Sequence, residues 1–107
     1  VKRLRVVVRP RVRTDLDEQA RYIAQDSLDA ALRFLTAAES TFEKLGAMPE
    51  IGRRRSFRHP SLAGVRSWAI PGFEKHVIFY RVAQDRVDVL RVIHAARDLR
   101  SILGSEG

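Results

Sequence analysis

GVRSWAIPGFEKHVIFYRVAQDRVDVLRVIHAARD, from Gly64 to Asp98, decides the fold. Three apolar runs rich in Val, Ile, Phe and Tyr follow one another, broken by Pro71-Gly72-Phe73 and by Ala83-Gln84-Asp85-Arg86. Such runs, bounded by turn-forming residues, predict a meander of antiparallel strands. The expected strands are 64–70, 76–83 and 86–94. Arginine or histidine interrupts every run, so the sheet carries positive charge. A tight hairpin centred on Gln84-Asp85 sets Arg81 opposite Asp88, Phe79 opposite Leu90, Val77 opposite Val92 and Lys75 opposite His94. One face then carries Lys75, Val77, Phe79, Arg81, Asp88, Leu90, Val92 and His94. The other carries His76, Ile78, Tyr80, Val82, Val87, Val89, Arg91 and Ile93. Both faces are largely apolar, so one must pack on helices and the other calls for a partial cover, from the tail or a partner chain.

Working outward, the N-terminal stretch alternates. Leu4, Val6 and Val8 lie on one side and Arg3, Arg5, Val7 and Arg9 on the other, as in a half-buried strand with a basic face. Pro10 is expected to end it. Thr14 is expected to cap a helix with Asp15, Asp17 and Glu18 in its first turn, burying Leu16, Ala20 and Ile23. Ser27 caps a second helix in which Leu28, Ala31, Leu35, Ala38, Phe42 and Leu45 recur at steps of three and four, widened by Phe34 and stopped near Gly46. Their short connection predicts an antiparallel helical hairpin. Residues 48–60 read as a basic loop, and 95–103 as a short terminal helix. The fold class is α+β: a small antiparallel sheet with an N-terminal strand, a helical hairpin on one face and a three-stranded C-terminal meander.

The chain has 107 residues, suited to a single domain over 1–107, and 45% of them are hydrophobic, enough for a core. Twenty Lys and Arg against thirteen Asp and Glu give a net charge of +7. That field favours nucleic acid, an anionic membrane surface or an acidic protein segment. The absence of cysteine excludes disulfides and thiolate metal sites and suits a reducing compartment. No apolar run reaches the roughly 20 residues of a membrane-spanning helix, and the start lacks a signal-peptide centre. The expected location is therefore cytoplasmic. The chain opens on Val1 rather than Met, as a trimmed chain or one read from a non-AUG start would.

Arg53, Arg54, Arg55 and Arg58, with Phe57 and His59, form either a contact patch for phosphate or an acidic segment, or a solvated loop. Arg66, Arg81 and Arg91 within strands form either a phosphate platform or structural pairs; for Arg81 the cross-strand pair with Asp88 is the simpler reading. Arg97 and Asp98 read most simply as a local salt bridge. His94 as a general acid in RNA cleavage would need a base and a phosphate clamp, with Lys75 its one neighbour in this register. Trp68, on an alternating strand, reads as core rather than as a base-stacking platform. His59, His76 and His94 lack metal-ligand spacing with carboxylates, and no glycine-rich phosphate loop or nucleophile elbow occurs, so no cofactor or metal is expected.

The chain resembles the ParE branch of the RelE/ParE toxins of bacterial type II toxin–antitoxin pairs. The likeness lies in Met48-Pro49-Glu50-Ile51-Gly52-Arg53, Gly64-Val65-Arg66, Val77-Ile78-Phe79-Tyr80-Arg81-Val82 and Val89-Leu90-Arg91-Val92-Ile93-His94-Ala95-Ala96-Arg97-Asp98, in this order after a strand and a helical hairpin. The resemblance implies a toxin that inhibits DNA gyrase and is neutralised by an acidic cognate antitoxin that folds on binding, the two forming a hetero-oligomer. Arg53, Arg54, Arg55, Arg66, Arg91 and Arg97 are the expected target or antitoxin contacts. It also implies an alternative, a RelE-type ribosome-dependent mRNA endoribonuclease, for which His94, Lys75 and Arg81 would be the catalytic residues. No tyrosine follows Tyr80, and the aliphatic, basic tail fits the gyrase reading better. A third reading is a non-enzymatic nucleic-acid-binding module, opposed by the lack of a helix with clustered base-reading side chains.

Overall fold

The computed structural model describes residues 3–97. The described chain runs through strand β1 (Arg5–Val8), helices α1 (Pro10–Ala24) and α2 (Leu28–Ala47), the two-residue strand β2 (Arg53–Arg54), a 3-10 turn at Pro60–Leu62, and strands β3 (Val65–Ile70), β4 (Phe73–Ala83) and β5 (Arg86–His94). The sheet order is β1-β5-β4-β3-β2. Strands β2 to β5 pair antiparallel, as expected, while β1 lies parallel to β5, so the sheet is mixed. The helical hairpin and the whole meander separate β1 from β5, and no tight turn dictates their relative direction.

Pro10 begins α1 instead of merely ending β1. Proline has no N–H to satisfy and its φ suits a first helical turn, so it replaces the expected start at Thr14. Arg9 flanks it in an extended conformation without a side-chain cap, and no acidic residue lies in the first turn. Asp15 is thereby carried one turn inward, where it is buried. Ser27 caps α2 as expected, its Oγ accepting the Ala30 N–H at 3.0 Å. The α2 stripe holds at Ala31, Ala38, Phe42 and Leu45, but Leu28 is 66% exposed and Phe34 is fully buried in its stead. Gly46 lies inside the last turn of α2. A Cβ there would stand 2.8 Å from both the Leu4 carbonyl oxygen and Val6 Cγ2, so glycine lets β1 run against the helix.

The β4–β5 register begins as expected with Arg81 opposite Asp88 and then shifts. Tyr80 pairs with Val89 and Phe79 with Arg91, leaving Leu90 as the extra residue of a β-bulge. Beyond it Ile78 pairs with Val92, Val77 with Ile93 and His76 with His94, correcting the expected Lys75–His94 pair. The slip exchanges faces: Val92 joins Ile78, Tyr80, Val87 and Val89 in the helix-side core, and Ile93 joins Val65 and Phe79 on the other side. That outer face is covered in part by the chain's own 55–63 segment, through Phe57 and Leu62. Trp68 packs half-buried on the main core, with Lys44 Nζ 5.7 Å from its ring centre. Residues 95–97 form a turn; the rest of the expected terminal helix, with Asp98, lies outside the described residues.

Candidate functional site

Tyr80 organises the loop before β2. Its ring is fully buried in the main core. Its hydroxyl accepts the Gly52 N–H at 2.8 Å and donates to the Pro49 carbonyl at 2.9 Å. A Cβ at position 52 would fall 2.4 Å from that hydroxyl, so the Pro-x-x-Gly-Arg sequence contains glycine because the backbone passes directly over a phenol. Burial pushes the Tyr80 phenol above its ordinary pKa, against the lowering effect of the Gly52 N–H and the Arg66 charge. The phenol therefore stays neutral and able to donate. Arg66 adds a second clamp, donating to the carbonyls of Gly52 at 2.9 Å and Glu50 at 3.3 Å.

This double clamp delivers Arg53 and Arg54 to the sheet edge, opposite Ser67 and Arg66. Both are exposed. Arg55 turns inward: its N–H bonds the Val65 carbonyl at 2.9 Å, its Nη1 reaches Ser67 Oγ at 3.4 Å, and its guanidinium lies 5.9 Å from the Phe79 ring centre. Beside β2 is a pocket of about 300 Å³ lined by Pro49, Glu50, Arg54, Gly64, Arg66 and Val82. Two opposed arginines repel unless an anion lies between them. A carboxylate or phosphate is the group their guanidiniums match.

The other two expected contact residues lie elsewhere. Arg91 donates Nε and Nη2 to Asp15 at 2.8 and 3.0 Å. Asp15 is 3% exposed, and also accepts the Val92 N–H at 3.1 Å and Arg11 Nε at 3.3 Å. Arg91 thus ties β5 to α1. Arg97 lies 4.5 Å over the Tyr22 ring of α1, while Asp98, its expected salt-bridge partner, lies outside the described residues. Four of the six expected residues therefore gather around β2, and two secure the α1 side.

Lys75, Arg81 and His94 do not converge. Lys75 and Arg81 are six residues apart on β4, about 20 Å at the usual strand rise. Arg81 donates to the Ser61 carbonyl. Asp88, its expected ionic partner, is held instead by Arg86 at 2.8 Å, two residues away on the same strand. The His94 ring meets His76 edge-on at 4.8 Å, and its Nδ1 accepts the Arg97 N–H at 3.2 Å. His76 in turn shares a hydrogen bond with Gln19, whose amide nitrogen donates to the Val92 carbonyl. Among the described residues, no group of three or more His, Asp or Glu is placed to hold a metal, and no helix is long and apolar enough to cross a membrane.

The Tyr80 clamp and the Asp15 hub were not anticipated. Tyr80 left no polar signature within its apolar run. Asp15 and Gln19, four residues apart beside Val12, Leu16 and Ala20, were readable as an inward polar pair only with the helix starting at Pro10.

A family model described as the ParE toxin of the type II toxin–antitoxin system, parDE, matches residues 6–99. Toxin ParE3 of Caulobacter vibrioides is 30% identical over 102 residues, spanning 94% of this chain and 96% of that protein. A solved structure described as the chromosomal ParDE TA system from P. aeruginosa superposes with a TM-score of 0.68 at 18% identity, covering 85% of this chain and 95% of that one, a likeness of fold.

Proposed function

The chain belongs to the ParE toxin family of type II toxin–antitoxin systems, and from that membership we propose that it poisons cells by inhibiting DNA gyrase without itself being an enzyme. As a toxin of such a system it has an antitoxin as its partner. The target, the mode of inhibition and a cytoplasmic site of action are the proposed parts. The observation that favours gyrase over RNA cleavage is the dispersal of Lys75, Arg81 and His94. General acid–base cleavage needs its acid, base and phosphate clamp within hydrogen-bond reach of one phosphodiester. Here Arg81 is bound to the Ser61 carbonyl, about 20 Å along β4 from Lys75.

The contact region is the β2 edge, where Arg53 and Arg54 project beside the pocket that Arg66 lines. An acidic segment of the antitoxin that orders on binding fits the same charge. The experiment compares two assays with one preparation: supercoiling of relaxed plasmid by gyrase, and mRNA cleavage on programmed ribosomes. Inhibition in the first with intact message in the second is the expected result. Site-specific cleavage that is lost in His94→Ala would replace this reading with the RelE-type mechanism.

A further inference from the structure

The outer side of the β1–β5 end holds a second group of arginines, away from the β2 edge. Strand alternation sends Leu4, Val6 and Val8 into the main core, so Arg5, Val7 and Arg9 face the other way. The parallel register places Arg5 beside Arg86 and Val7 beside Asp88, and Arg81 stands opposite Asp88 from β4. Arg86 is committed to Asp88 through Nε at 2.8 Å. Arg5 and Arg9 are exposed, and their side chains make no hydrogen bond or ion pair with a described residue. The fields of Arg9 and Arg81 nevertheless both reach Asp88, which shows how closely these charges are gathered. A recess of about 590 Å³, lined by Arg3, Leu4, Arg5, Gln84 and Asp85, continues the surface past the β4–β5 turn. The carboxylates near this surface are Asp88, already bound, and Asp85.

Like charges placed side by side on a sheet are destabilising; Asp88 offsets the charge of Arg86, while the Arg5 side chain beside it has no ion-pair partner among the described residues. We infer that the outer face of β1 and β5 is a strip that binds the phosphodiester backbone of a nucleic acid, with Arg5 and Arg9 as the principal phosphate contacts. A backbone contact needs only cations distributed along a surface. An acidic protein segment needs apolar or aromatic anchors in pockets as well. Val7, at 37% exposure, is the one large hydrophobic residue that β1 offers outward. The strip reads no base sequence, because strand arginines on an open face meet phosphates and not base edges. It is independent of the gyrase reading, and its assay contains no gyrase.

The test is fluorescence anisotropy of a short labelled DNA duplex with the full chain across a salt series. Each phosphate contact contributes about 0.9 to the slope of log affinity against log salt. Arg5→Gln/Arg9→Gln should lower that slope by about 2. Arg21→Gln/Arg33→Gln, which removes the same charge from exposed helix positions elsewhere, should change it by less than about 0.5. Thermal melting of both double variants checks that each remains folded. Equal losses in the two variants would overturn the strip in favour of a general charge effect. Absence of duplex binding at low salt, with tight binding of a poly-glutamate peptide, would assign the strip to an acidic protein instead.

Discussion

Arg54 and Arg91 are both strand arginines, and the fold uses them in opposite ways. Arg91 meets a buried carboxylate, gives it two hydrogen bonds and joins β5 to α1. Arg54 meets another arginine across β2 and β3 and lines a pocket open to solvent. An arginine beside a buried acid holds structure, and an exposed one facing an arginine already tied to backbone carbonyls is available for a partner. The identity of the residue decides neither outcome; the placement of a carboxylate does.

The largest expected effect comes from breaking the structural side. Asp15→Ala leaves Arg91 and the Val92 N–H without their shared acceptor. Removing one partner of a fully buried pair costs about 3–5 kcal/mol, and solvent access to Arg91 reduces that here to about 2–3 kcal/mol. Urea titration should show the midpoint fall with little change in slope. An unchanged midpoint would show that Arg91 is as dispensable to the fold as Arg54.

Gly52→Ala tests the joint between the two regions, because its Cβ would enter the space of the Tyr80 hydroxyl. Overpacking of that kind costs about 1–3 kcal/mol, and the strain falls on the segment that delivers Arg53 and Arg54. Toxicity should therefore decline further than stability alone explains. Toxicity that tracks melting temperature, as in a core variant of equal stability, would separate the clamp from the contact region.

A smaller effect is expected from pH. The hydrogen bond from Arg86 holds the Asp88 carboxyl below the ordinary carboxylate range, in opposition to burial. A depressed folded pKa means that the stabilisation is complete above the unfolded value of about 3.9 and is lost as pH falls through the folded one. Asp88→Asn should thus be less stable than the parent at neutral pH, with the gap narrowing as the solution is acidified below pH 4. A gap of constant size would assign the loss to packing at Asp88 and not to its charge.

The architecture was legible because its signals are local. The meander, the Gln84-Asp85 turn, the Ser27 cap and the α2 stripe depend on neighbours a few residues apart. The bulge at Leu90 was not legible, since an alternating run gives no sign of where one residue is left over; with it went the Lys75–His94 pairing. In the sequence Pro10 signals the end of a strand, although the same missing N–H suits the first turn of a helix. At the site, the basic run was visible, but not its division. Arg55 folds back on Phe79, and Arg66 is occupied by the carbonyls of residues 50 and 52. Those contacts join residues distant in sequence, as does Arg91 with Asp15, and no periodicity reports them.

Arg53 and Arg54 carry the sharpest form of the comparison, because they are exposed and their replacement should leave the fold almost untouched. Arg53→Ser/Arg54→Ser is expected to change stability by less than about 0.5 kcal/mol. The most direct measurement is the concentration of this variant that half-inhibits gyrase supercoiling, set beside that of the parent and read together with the melting temperature. The account predicts at least about a tenfold rise, equivalent to about 1.4 kcal/mol of binding, with melting shifted by no more than about 4 °C. Inhibition at the parent's concentration by a folded variant lacking both arginines would contradict it.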